Sequence, residues 1–218
     1  MHLAEIWRYP VKSMAGERLQ EARLGRDGVE GDRLVQVRLG DMDSADGERI
    51  VTARSRPRLL GHRAALGPDG EPLVDGRPWR DAGVAADVAS AAGTGARLER
   101  SADLQLRYDI LPLLVATDGA IDSLALDRRR FRPNLLIGGV EGLAERSWEG
   151  RRLRIGEAVV ALADLRGRCV MTTFDPDTLE QDPKVLRTIV QRLGGVLGLN
   201  AEVARAGVVR VGDPVELL

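Results

Sequence analysis

Trp7-Arg8-Tyr9-Pro10-Val11-Lys12-Ser13 closes a short apolar run, residues 4–7, in a proline-stiffened turn that presents an ammonium and a hydroxyl together. The arrangement recurs. Gly31-Asp32-Arg33 sets an arginine just before the apolar run 34–39, and Thr52-Ala53-Arg54, followed by Pro57, ends the run 49–53. Leu19, Ala22 and Leu24 give a rough alternation, and Leu73-Val74 forms a further apolar step. Turns at Arg26-Asp27-Gly28 and Gly67-Pro68-Asp69-Gly70 and a polar loop over 41–47 separate these runs. Strands at such spacing, with few helical stretches, predict a small barrel or sandwich over the first hundred residues. One short helix is expected over 87–92.

The second half is mixed. Residues 111–116 and 135–137 read as apolar strands. Thr117 or Asp118 is placed to cap a helix running to about Arg129, with Ile121, Leu124 and Ala125 on one face. Residues 153–162 predict a strand interrupted near Gly156. Pro183 begins the clearest helix, with Leu186, Ile189, Val190 and Leu193 at i, i+3, i+4 and i+7, and Gly194-Gly195 ends it. Residues 203–217 read as two strands around Gly212-Asp213-Pro214. Gly138-Gly139 and Gly194-Gly195 are turn glycines, since neither follows the strand–loop–helix context of a dinucleotide fingerprint. His2 and His62 are too few and too separated for a catalytic or metal-binding pair.

A chain of 218 residues fits one large domain or two small ones sharing an interface. No apolar run approaches the roughly 20 residues of a membrane span, and the N-terminus lacks a secretory layout. With one cysteine, a cytoplasmic, reducing compartment is the expected location. A formal charge of −1 argues against a nucleic-acid-binding surface. Of 32 basic residues only Lys12 and Lys184 are lysine, which singles out Lys12 as a compact charge suited to phosphate.

The single cysteine lies in Leu165-Arg166-Gly167-Arg168-Cys169-Val170-Met171-Thr172-Thr173-Phe174-Asp175-Pro176. A lone thiol cannot form an internal disulfide or build a zinc or iron–sulfur site by itself. As an isolated residue it reads as a buried small hydrophobe. A soft thiolate can also supply the one protein bond to a metal already held by an organic ligand. Phe131-Arg132-Pro133-Asn134 adds a guanidinium and an amide to the cations at the strand ends. Taken singly, each arginine reads as a solvated surface group. Converging, they suit a phosphorylated, heteroatom-rich ligand.

These pieces, in this order, resemble the MOSC family, named for the C-terminal domain of molybdenum cofactor sulfurases. The likeness is greatest to the two-part architecture of amidoxime-reducing components. It rests on the segments above, on Val51-Thr52-Ala53-Arg54 with Pro57-Arg58-Leu59, and on Tyr108-Asp109 with Pro112. Trp148 with Gly156 and Val211-Gly212-Asp213-Pro214-Val215 complete the set. The resemblance implies a mostly β fold with α/β elements: an N-terminal β-barrel-like domain, residues 1–104, packed on a MOSC β-barrel domain, residues 105–218, with a few helices.

The resemblance also implies that Cys169 is the protein ligand to molybdenum in a molybdenum cofactor (molybdopterin). Lys12, Ser13, Arg33, Arg132 and Asn134 would line the site of the pterin and its phosphate, with Thr52, Arg54, Arg168 and Thr172 as further members. Asp109 matches an aspartate placed near the metal, with a role in proton transfer. The implied activity is that of an oxidoreductase reducing N-hydroxylated small molecules. Such a chain has neither the length nor the cysteines for an appended iron–sulfur domain, so electrons are expected from a separate donor protein. Two alternatives stay open. One is a cofactor or sulfur carrier with a persulfide on Cys169, and the other a non-catalytic binder of a phosphorylated ligand. Leu111 and Gly167 depart from the family pattern, which carries small polar residues there.

Overall fold

The computed structural model describes residues 1–40, 49–101 and 104–218, so the polar loop expected over 41–47 lies outside the described residues. The strand His2–Arg8 shifts register between Leu3 and Glu5 as it pairs with Leu135–Gly138. That bulge turns both Leu3 and Ile6, three positions apart, into the core. On its other side the strand pairs with Glu17–Leu19.

Eight strands form one sheet in the order Val215–Leu217, Arg152–Ile155, Ala158–Gly167, Val196–Arg205, Leu113–Thr117, Leu135–Gly138, His2–Arg8 and Glu17–Leu19. Leu113–Thr117 and Leu135–Gly138 are parallel neighbours. Every residue in both is buried, as continuous apolar strands covered on two faces require. A three-stranded sheet of Gly207–Arg210, Glu21–Gly25 and Gly28–Val29 adds Leu24, Val29 and Val209 to the same core. The first thirty residues and the second half therefore share one apolar interior.

The rest of the first half builds a second core. Val35–Leu39 runs between Arg97–Arg100 and Arg49–Val51, and Ala64–Leu66, Pro72–Val74 and Arg77–Pro78 form another sheet. Val35, Val37, Val74, Trp79, Val84 and Val88 pack together between these sheets and the helix Ala82–Ala92. The mostly β class with a few helices expected from the sequence is the one observed.

Several local expectations are corrected. The first helix starts at Ala82 rather than residue 87, because the Asp81 carboxylate accepts from the Gly83 and Val84 amides. Thr117 does cap a helix, but it ends at Asp122. Ala125 turns left-handed (φ 52), and Asp127 caps a separate 3-10 turn at Arg128–Arg130. The strand expected over 153–162 is a hairpin, Arg152–Ile155 with Ala158–Gly167, that reaches five residues further. Pro183–Leu193 buries Val185, Ile189 and Leu193, while Val190 is 53% exposed. Its inward face is thus centred one position away from the expected one. Val196–Arg205 is a ten-residue strand that begins seven positions before the tail strands expected from Val203.

Candidate functional site

Cys169 leaves the end of the strand Ala158–Gly167 with extended backbone (φ −132°, ψ −179°). The Arg168 amide donates to the Gly195 carbonyl at 2.8 Å, and a 3-10 turn, Val170–Thr173, follows at once. The buried Thr172 donates from both its amide (3.1 Å) and its hydroxyl (2.9 Å) to the Cys169 carbonyl. Two bonds to one oxygen fix the direction in which the thiol leaves the chain.

A cavity of about 70 Å³ opens beside the half-buried thiol. Its wall carries Arg33, Arg54, Asp109, Arg132, Arg168 and Cys169 from the sequence-derived set. Lys12 reaches the same cluster, with its ammonium 3.2 Å from Asp109 and donating to the Leu106 carbonyl at 3.1 Å. Six non-glycine residues among those described have left-handed φ, and three belong to the predicted set: Ser13 (73°), Arg33 (50°) and Arg132 (54°). Such strain persists where surrounding structure over-determines it, and it concentrates at ligand sites.

Asp109 sits among cations. Its carboxylate accepts from Arg54 at 3.1 Å and from Arg166 at 3.3 Å, besides the Lys12 contact. Burial pushes its pKa up, but Lys12, Arg54 and Arg166 outweigh that and hold it below the usual carboxylate range. Burial lowers the pKa of Lys12, with Asp109 opposing. Arg168 donates to the Phe131 carbonyl at 2.7 Å. Burial, then repulsion from Arg166, push its pKa down to about 10. Arg132 lies 4.2 Å from the Tyr9 ring centroid, and burial lowers its pKa as well. Among the described residues its guanidinium makes no hydrogen bond or ion pair.

Beneath the cluster, Asp32 is buried and accepts from the Tyr9 amide (2.6 Å), from Asn134 (3.3 Å) and from Arg33. Burial raises its pKa in spite of Arg33. Asn134 accepts from the Leu114 amide at 3.1 Å and donates to the Trp7 carbonyl at 3.3 Å. Its amide is thus used up tying three strand ends to Asp32. Ser13, Thr52, Asn134 and Thr172 do not line the cavity, whereas Arg130, Arg166, Leu111, Gly167 and Met171 do. Arg166 was absent from the sequence-derived set. Its signal was the two-residue step to Arg168, which in extended chain puts both side chains on one face.

Two family models together span nearly the whole chain. A family model described as the MOSC N-terminal beta barrel domain matches residues 1–99, and one described as the MOSC domain matches residues 111–216. The chain belongs to the MOSC family. It is similar to "Mitochondrial amidoxime reducing component 2" of Homo sapiens, 28% identical over 98% of this chain and 82% of that protein. It is also similar to "Mitochondrial amidoxime-reducing component 1" of Homo sapiens, 26% identical over 99% of this chain and 82% of that protein. The solved YUAD protein of Bacillus subtilis shares the fold, with a TM-score of 0.52 at 12% identity over 99% of this chain and 94% of that one.

Proposed function

We propose that this chain holds a molybdenum cofactor, with Cys169 as the protein ligand to the metal, and reduces N-hydroxylated compounds with electrons from a separate donor protein. The observation that carries this reading is the meeting of the lone thiol with Lys12, Arg33, Arg54, Arg132, Arg166 and Arg168 around one cavity. Two features fit a ligand with a phosphate tail. The Arg168 Nε is buried without a partner, and the desolvated Arg132 has no counter-anion among the described residues. An anion bearing several acceptors would supply both. Among the described residues no group of three or more His, Cys, Asp or Glu stands together to hold a metal. A metal at Cys169 would therefore bring most of its ligands with it.

The bound cofactor supplies the redox step, in which the N–O bond breaks, water leaves, and an electron pair from the donor with protons from solvent balances the change. The chain's own residues bind and orient. Lys12, Arg33, Arg54 and Arg132 bind the phosphate and pterin, while Ser13 and Thr52, off the cavity wall, stand in the turns that carry Lys12 and Arg54. Thr172 aims the thiol, and Asn134 acts through Asp32 as a positioning residue. A cavity of about 70 Å³ holds less than a pterin does. An incoming anion would therefore compete with Asp109 for Lys12, Arg54 and Arg166. A carboxylate held this firmly ionised is a poor proton donor at neutral pH, so Asp109 balances charge more than it delivers protons.

The two segments, residues 1–104 and 105–218, work as one unit in this reading, because the thiol of the second meets the cations of the first. No helix among the described residues is long and apolar enough to cross a membrane. The lone cysteine suits the cytoplasm, although the relatives above are named as mitochondrial.

Elemental analysis of protein from a cofactor-making host tests the reading. Wild type should carry molybdenum, and Cys169→Ser should lose it while keeping its fold. Loaded wild type should also turn over N-hydroxylated bases with an artificial donor. A stable persulfide on Cys169 without metal would assign the carrier role instead.

A further inference from the structure

A second cavity, of about 250 Å³, lies against the first and shares Arg130, Arg132 and Met171 with its wall. Among its lining residues only Arg132 carries a binding role above. Part of the lining is aromatic. Trp7 and Phe174 line it, and the buried Tyr9 ring lies parallel to Trp7, with centroids 6.4 Å apart and planes within 15°. A Cβ at Gly16 would come 2.5 Å from the Tyr9 ring, so only glycine lets the chain pack that close.

Another part is cationic, and its arginines differ in what they are paired with. Arg129 is held by Asp127 (2.7 Å) and Asp177 (2.6 Å), and Arg130 by Asp175 (2.8 Å). Arg63 and Arg132 have no carboxylate. Among the described residues neither guanidinium makes a hydrogen bond or ion pair. Burial already disfavours the charge on Arg132, so an anion arriving there restores what the fold withholds. A flat apolar wall beside two unpaired guanidiniums selects a flat ligand that ends in an acid. Ligand pockets commonly span about 300–1,000 Å³, so this one falls just below that range and takes one or two rings.

We propose that this cavity binds a small planar aromatic carboxylic acid, its ring against Trp7 and Phe174 and its carboxylate at Arg63 and Arg132. The site goes beyond the reductase reading and does not depend on it, because protein without cofactor suffices for the test.

The probe is 2-naphthoate, titrated into the purified full chain and followed by tryptophan fluorescence and calorimetry. Saturable binding with a Kd below about 1 mM is expected. The neutral 2-naphthylmethanol should bind about tenfold more weakly, the loss of a charge-assisted contact. Arg63→Gln, at the surface, should weaken naphthoate about threefold or more. Ala15→Leu, which fills the cavity, should abolish binding with an unchanged melting temperature. Trp7→Phe should remove most of the fluorescence response and leave the calorimetric affinity within about twofold. Asp109→Asn, on the neighbouring cavity, should leave naphthoate affinity unchanged. No saturation in the millimolar range, equal binding of the neutral analogue, or indifference to both Arg63→Gln and a folded Ala15→Leu would each overturn the proposal.

Discussion

Asp32 and Asp109 flank the same arginine cluster, yet their carboxyls are pushed in opposite directions. Asp32 is fully enclosed, meets one guanidinium, and has a raised pKa because burial outweighs Arg33 and the Tyr9 and Asn134 hydrogen bonds. Asp109 has a side chain one-third exposed, meets Lys12, Arg54 and Arg166, and has a lowered pKa because three cations outweigh partial burial. Neither residue type nor neighbouring charge alone decides the outcome. What decides it is how many cations arrive for a given loss of water. The first aspartate is a strut that holds the turn carrying Arg33. The second is a part-exposed counter-ion to three cations.

The strongest way to break this contrast is truncation. Asp32→Ala leaves the Tyr9 amide, the Asn134 amide and the Arg33 guanidinium without their acceptor, and should cost about 3–5 kcal/mol in urea unfolding. A loss below about 1 kcal/mol would mean that Asp32 is no strut. Asp109→Ala, with water able to reach the cations, should cost about 1 kcal/mol or less.

The pH dependence sharpens the same contrast. For Asp32, whose folded pKa is raised, the stabilising contribution is complete below the unfolded value of about 3.9 and is lost as pH rises through the folded value. For Asp109, whose folded pKa is depressed, the contribution is complete above about 3.9 and is lost as pH falls through the folded value. The stability gap between wild type and Asp32→Asn should therefore narrow as pH rises above that point. The gap for Asp109→Asn should shrink only on the acid side of it. Parallel slopes in a urea series across pH would refute the opposed assignment.

The smallest effect is expected at Gly167, on the cavity wall beside these groups. An added Cβ there meets nothing within 4 Å, so Gly167→Ser should change stability by no more than about 0.5 kcal/mol. A larger loss would show that the wall is packed more tightly than the open space implies.

Strands and turns were legible because their chemistry is local. The glycine turns at Gly139, Gly194 and Gly195 all have left-handed φ, as expected of turn glycines. Helix limits were less legible. The Asp81 and Asp127 caps lie outside the apolar pattern that placed the helices. Val196–Arg205 was hidden by Gly198, where a Cβ would come 2.7 Å from the Val115 carbonyl. That glycine is explained by a neighbouring strand far away in sequence, not by a turn. Asn134 was expected to line the cofactor site, but it stands off the cavity wall and its partners are Leu114, Trp7 and Asp32. No spacing rule reveals that an amide is already fully engaged.

The sequence by itself determined the mostly β class, the MOSC membership carried by an ordered set of motifs, and the cations at strand ends around a solitary thiol. Each follows from residue type, order and short-range periodicity. Only the tertiary structure decided which of those cations keep a carboxylate. Arg54 meets Asp109 from 55 positions away, while Arg132 meets an aromatic face and no anion among the described residues. Ion pairing and desolvation depend on distances across the fold, and those distances exist only once the strands of both halves have joined one sheet.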